Sequence, residues 1–485
     1  MGGNGSKRWW AIAAAAALTA GMVTSQAGAS TAGNAASATS LGTRAAFSVQ
    51  TAIAPSLVTG PVAIATASDG RIFVAEIGGV IEVFHGVTDT HPKVFADLSN
   101  EVYSAQGHGL LGMTLDPNFP TKPYVYVLYS RDSATRGGPI VTKKDTCATH
   151  ATTGCVRYAR LARLTAKGDT MVAGSLKVLV DDWCNQFVHH IGALHFGKDG
   201  MLYASGGDGA TEQVNGVNGA DYGQFGNACG DPPSPAGTNL TAPTAQGGSL
   251  RAQDILAGYN TDPVTLDGTI IRVNPTTGAA AAGNPYSSAT DPNQKRIVGW
   301  GFRNPFRFAI RPGTNDIYAS DPGLDTYEEI DRIPSPTTKA PDFGWPCWEG
   351  TIQQPEFKAA NLNMCNSLYA AHSDTKPLFE YADAGHVVSS SDGCPATSGT
   401  AATGLTFYTG TSYPAAYKGA LFFSDYGRAC LFAAPAGASG APNFAARKVV
   451  TTLPAAGIVD IEPGPNGDLL LVNINNSTIY ELHYS

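Results

Sequence analysis

The chain has 485 residues, a formal charge of −8, 14% charged and 43% hydrophobic side chains, with 56 glycines and 31 prolines. That balance excludes the basic footprint of a nucleic-acid or anionic-membrane binder. It leaves enough apolar material for a sizeable core, with glycine and proline above ordinary usage but short of a disordered composition.

In chain order, the first feature is a sorting signal. Lys7 and Arg8 precede an alanine-rich apolar run from Trp9 to Leu18, and Ala27-Gly28-Ala29 has the A-x-A form of a cleavage site. Residues 1–29 are expected to be a signal peptide, 30–48 a flexible leader, and 49–485 a single domain, secreted or periplasmic. No later run reaches the ~20 apolar residues that span a bilayer. Export makes the eight cysteines legible: an even count with no CxxC pair favours disulfides over a zinc site. Sequential pairing would join Cys147–Cys155, Cys184–Cys229, Cys347–Cys365 and Cys394–Cys430.

From Pro61 onward one pattern recurs: an apolar alternation, a turn with Gly, Asp or Pro, and a second apolar-aromatic run. It starts at Pro61, Gly109, Gly192, Phe306, Gly404 and Gly457. Few segments show a 3.6-residue period. Six similar hairpins, spaced widely enough for two more strands each, predict an all-β fold, a six-bladed β-propeller of four-stranded antiparallel blades. The Pro- and Gly-rich stretches 209–265 and 335–400 then read as loops gathered at one face.

Two motifs precede hairpins. QFVHHIGALHFGKDGMLYASGGDG, residues 186–209, carries His189 and His190. Either is catalytic, metal-binding or a loop imidazole; a neutral imidazole can accept a proton near neutrality. Adjacent residues of an extended chain face opposite sides, so the pair does not share a metal. His195 follows the strand alternation. Asp208 either orients a site or forms its turn. Further on, IVGWGFRNPFRFAIRP places Arg303 and Asn304 before Pro305, which keeps Asn304 out of a helix and fixes the turn. The next turn, SDPGLDTYEEID over 320–331, is rich in carboxylates and carbonyls and suits a hard cation such as calcium, with Glu328 reading as a solvated acid. Trp345 either walls a pocket or fills the core.

Together with GHGLLGMTLDPNFP, LDGTIIRVNPTTG and DFGWPCWEG, these motifs resemble, in order, the soluble pyrroloquinoline-quinone (PQQ)-dependent sugar dehydrogenases of glucose/sorbosone type, over about residues 55–485. The resemblance implies a six-bladed propeller that oxidises an aldose or related sugar at C1 by hydride transfer to calcium-bound PQQ. It implies His189 as general base, through the H-x-x-G-x-L frame with Gly192 and Leu194. Arg303 matches the arginine beside the reacting quinone oxygen, Asn304 a PQQ-binding asparagine, and Arg428 an arginine for a cofactor carboxylate. Gly323 and Leu324 match positions whose backbone carbonyls hold the calcium. Three positions depart: Val188 stands where glucose dehydrogenases carry aspartate, Gly107 where they carry glutamine, and Tyr408-Thr409 near where they carry a cofactor-binding lysine. With no C-x-x-C-H haem motif, electrons would leave to an external acceptor. The competing reading is a non-catalytic propeller binding module related to hedgehog-interacting-type proteins. A calcium-dependent hydrolase ranks behind both, because the motifs supply backbone carbonyls and an arginine rather than a central ring of carboxylate and asparagine side chains.

Overall fold

The computed structural model describes residues 46–105, 107–133, 156–186, 188–210, 220–224, 226, 227, 229–257, 264–397 and 399–485. The expected signal peptide, the leader as far as 45, Gln106, and Cys147 with Cys155 lie outside the described residues.

Six antiparallel sheets, each built from one of the six predicted hairpins plus outer strands, surround an axis, and a separate two-stranded sheet pairs Trp348–Glu349 with Ile352–Gln353. Blade 1 comprises Pro61–Thr66, Ile72–Glu76, Val80–Phe84 and Lys93–Asp97; blade 2 comprises Leu110–Leu115, Tyr124–Ser133, Val156–Lys167 and Lys177–Asn185. Blade 3 comprises Leu194–Phe196, Leu202–Gly206, Thr269–Val273 and Ile297–Trp300; blade 4 comprises Arg307–Ile310, Ile317–Asp321, Tyr327–Ile333 and Phe379–Ala382. Blade 5 comprises Ala402–Phe407, Leu421–Asp425, Cys430–Ala434 and Lys448–Thr452. Blade 6 runs Ile458–Pro463, Leu469–Asn473 and Thr478–Tyr484, and its outer strand is the N-terminal Phe47–Ile53, with Phe47 opposite Tyr484. This strand starts two residues inside the expected leader.

Blades pack face to face, so middle strands bury both faces and read as apolar runs rather than alternations. Leu469–Asn473 is buried at every residue. At the axis, Arg307 of blade 4 donates to the Val62 carbonyl of blade 1 and, at 3.2 Å, to Asp460 of blade 6, whose other oxygen accepts from Ile64 N at 3.1 Å. One buried guanidinium therefore ties three blades.

Because strands alternate in direction, connections entering an inner strand share a rim with those joining second to third strands. His189, Asp208, Arg303, Pro322 and Arg428 all lie in such connections. The 334–378 segment instead leaves from the opposite rim, since it joins third to fourth strands of blade 4. It climbs beside the outer strand of blade 3, where Trp300 N donates to Pro341 O (3.1 Å) and Phe343 N to Trp300 O (2.9 Å), and so reaches the first rim. This stretch is not the plain loop expected over 335–400. Gln354 caps a short helix, Pro355–Ala359, with proline in its first turn; Asn363–Ala371 forms a second; and the last strand of blade 4 follows. Three disulfides match the sequential pairing: Cys184–Cys229, Cys347–Cys365 and Cys394–Cys430.

Candidate active site

His189 closes the connection into blade 3 with φ 52°, a left-handed backbone that a side-chain-bearing residue adopts at a cost of order 1–3 kcal/mol. The neighbouring GGDG turn makes this possible: a Cβ on Gly207 would stand 2.3 Å from the His189 carbonyl oxygen, so glycine lets the two loops touch. The contact places His189 Nδ1 2.9 Å from Asp208 Oδ1. Asp208 is fully buried; its Oδ1 also accepts from Ala210 N (3.2 Å) and its Oδ2 from Trp345 Nε1 (2.8 Å). Burial pushes the Asp208 carboxyl up, but His189, Arg303 and Trp345 together hold it below the usual carboxylate range. An ionised carboxylate only accepts, so Nδ1 carries the proton and the neutral ring keeps its lone pair on Nε2. Burial, then the charge of Arg303, lowers the His189 pKa, with Asp208 opposing. The side chain remains 17% exposed.

Arg303 enters from the next connection. Its carbonyl accepts from Asp208 N (2.8 Å), its Nη1 donates to Pro322 O (2.9 Å), and its guanidinium stands 5.4 Å from the centre of the Trp345 ring. Asp321 holds the turn: its Oδ2 accepts from Arg303 N (2.9 Å) and its Oδ1 from Asn304 N. Burial raises Asp321 to about 7, against the pull of these two amides. The structure thus brings His189, Asp208, Arg303, Asn304 and Trp345 together from three separate stretches of chain.

Gly323 and Leu324 lie directly beyond. Glu349 Oε1 accepts from the amides of Leu324 (2.9 Å), Asp325 (3.1 Å), Thr326 (2.8 Å) and Tyr327 (3.1 Å). In a planar trans peptide the carbonyl points opposite the N–H, so the Gly323 and Leu324 carbonyls turn away from that carboxylate. Among the described residues neither carbonyl accepts a hydrogen bond. Glycine is required at 323 because a Cβ would sit 1.8 Å from the Tyr327 carbonyl oxygen. Two paired backbone oxygens suit part of a hard-cation shell, the remainder falling to a ligand or water. No group of three or more His, Cys, Asp or Glu side chains among the described residues is arranged to hold a metal.

Other residues stand elsewhere. His190 points away from His189, fully buried against Ser130 Oγ, with the His108 ring 5.0 Å off; burial keeps it neutral. His195 lies in an inner strand. Arg428 shares the rim, but its guanidinium is enclosed: Nε donates to Asp425 (3.2 Å), Nη1 to Cys394 O (2.8 Å), and Nη2 to Asp383 O (3.0 Å) and Gly385 O (2.7 Å). It clamps the loop entering blade 5. Glu328, expected to be solvated, is buried and accepts from Ala402 N (2.7 Å), because its strand passes between two blades. Tyr408 follows the far end of the blade 5 inner strand, stacked on Tyr413 at 4.2 Å, so that position lies on the rim opposite His189. Glu349 and Asp321 escaped sequence analysis; only the surplus of carboxylates near 320–331 hinted at the second.

The sequence model of the glucose/sorbosone dehydrogenase family matches residues 58–227 and 257–480. Similar solved structures include the PQQ-bound aldose sugar dehydrogenase of Streptomyces coelicolor, 17% identical, covering 91% of this chain and 99% of that one, with a TM-score of 0.56. They also include the apo soluble aldose sugar dehydrogenase of Escherichia coli (17%, 90% and 99%, TM-score 0.59). A glucose dehydrogenase structure is 18% identical, with 90% and 100% covered and a TM-score of 0.60. At these identities the structures speak for the fold alone.

Proposed function

The chain belongs to the glucose/sorbosone dehydrogenase family, sugar-oxidising oxidoreductases, and on that premise we propose that it oxidises an aldose or related sugar at C1, with His189 as general base, outside the cytoplasm. The observation that carries the reading is the His189–Asp208 pair beside Arg303 on one rim. His189 Nε2 takes the proton of the anomeric hydroxyl. Asp208 holds the tautomer that makes this possible and steadies the imidazolium that results, the role a buried aspartate plays behind a histidine base. Arg303 supplies fixed positive charge where negative charge develops, at no reorganisation cost.

PQQ, when bound, supplies the hydride acceptor; the S. coelicolor relative binds it. Residues proposed to hold it are Arg303 and Asn304, with the Gly323 and Leu324 carbonyls taking its calcium. Arg428, spent on four protein acceptors, is left out of this set. Val188 beside the base gives the sugar an apolar contact, which argues against glucose as the preferred substrate. The disulfides support export, with a mature start near Ser30 and electrons passing to a separate acceptor.

The test is reconstitution of the purified protein with PQQ and calcium, followed by a panel of aldoses with an artificial electron acceptor. Saturable quinone binding with turnover of at least one sugar is expected. No quinone binding at all would move the assignment to a non-catalytic propeller module.

A further inference from the structure

We infer that Trp345 is a positioning residue that holds the proton-accepting histidine and the site's arginine in one assembly, its indole N–H aiming Asp208 and its ring face seating Arg303. The inference deepens the dehydrogenase reading and rests on it. The indole N–H donates to Asp208 Oδ2 at 2.8 Å, which leaves Oδ1 for His189 Nδ1 at 2.9 Å. The Arg303 guanidinium stands 5.4 Å from the ring centre, within cation–π range. Trp345 is itself held: its backbone amide donates to Gly301 O (2.9 Å), its carbonyl accepts from Gln253 Nε2 (3.0 Å), and Phe357 packs against it with ring centres 5.8 Å apart.

A tryptophan that merely fills space has no need to aim its N–H. The buried indoles of Trp183 and Trp348 show this, since neither finds an acceptor among the described residues. Trp345 aims its own at a carboxylate whose other oxygen serves the base, while its face meets the cation two residues beyond the Gly301 carbonyl that anchors it. The segment carrying it arrives from the opposite rim, and this indole is where that segment meets the His189–Asp208 pair. The charged groups facing His189 are Asp208 and Arg303; behind Asp208 stand Asp267 and Asp321.

The test is a ¹⁵N NMR titration of the His189 ring in cofactor-free protein, its signal identified by its loss in His189→Ala. Trp345→Phe keeps an aromatic face and deletes the donor, so Asp208 leans harder on the imidazole. The His189 midpoint is expected to rise by about 0.5–1 pH unit, part of the ~1–2 units that a hydrogen bond to a charged group represents. In an Asp208→Asn background the same substitution should not move it. Phe357→Leu, which loosens the packing around Trp345 without touching the donor, should lower stability and leave the midpoint in place. An unmoved midpoint in Trp345→Phe, an equal shift in Phe357→Leu, or a shift that persists without Asp208 overturns the inference. If Trp345→Phe does not fold, replacing Trp345 by β-(3-benzothienyl)alanine removes the N–H and keeps the shape. Failure of the dehydrogenase reading appears separately, as purified wild-type protein that binds no quinone and turns over no sugar.

Discussion

At His189 a left-handed backbone, a buried carboxylate and a nearby guanidinium meet on one imidazole. His189→Ala should cut kcat by about 10²–10⁴-fold, the usual worth of a positioned base, while quinone titration stays close to wild type. Because burial and Arg303 lower the folded pKa, the ring loses its proton below the ordinary imidazole value near 6.5. The acid limb of kcat/KM should therefore have its midpoint below 6.5; a midpoint above it would contradict the site's electrostatics. Asp331 offers a stability counterpart. It is fully buried, neither carboxyl oxygen has a hydrogen-bond partner among the described residues, and burial with the charge of Asp321 pushes its pKa well up. The folded form thus holds a proton that the unfolded form has released above about pH 4, so the contribution of this group to stability falls as pH rises above that value. Asp331→Asn has no such proton. In chelator-containing buffer its advantage in denaturant unfolding should grow by about 1.4 kcal/mol per pH unit above pH 4 and vanish below it.

At the scale of elements, the inner hairpins were legible because each pairs two strand-like apolar runs through a Gly, Asp or Pro turn. The connection from Ile333 to Phe379 was not, since its course follows hydrogen bonds to the edge of another blade, which leave no periodic trace in its own residues. The same holds for the 322–327 bend, organised by Glu349 from 22 to 25 residues away. Gly323→Ala must displace the Tyr327 carbonyl, so it should cost about 1–3 kcal/mol in unfolding experiments and weaken calcium binding measured by calorimetry. Unchanged calcium affinity in a folded Gly323→Ala protein would remove this bend from the proposed cation site. Arg428 lies on the same rim, where its guanidinium donates to the carbonyls of Cys394, Asp383 and Gly385 and so clamps a loop.

Over the whole molecule, a propeller must close its ring, and here Phe47–Ile53 does so by pairing with the last strand of the chain. Deleting residues through 53 should leave one edge of Thr478–Tyr484 unpaired and lower the melting temperature, read by calorimetry; an unchanged transition would mean that the closing strand is dispensable. Arg307→Met should cost about 3–5 kcal/mol, because it strands the buried Asp460 carboxylate between blades. The amino-acid order by itself determined the blade number and the two motifs that carry His189 and Arg303, since turn chemistry and apolar runs are local properties, whereas which cysteines pair was settled only by the fold. Tertiary structure alone decided that Asp208 serves the histidine, that Trp345 reaches it from the far rim, that Glu328 is buried, and that Arg428 is occupied. Those outcomes depend on which chain segments the closed ring brings within hydrogen-bonding distance, and no local pattern encodes that.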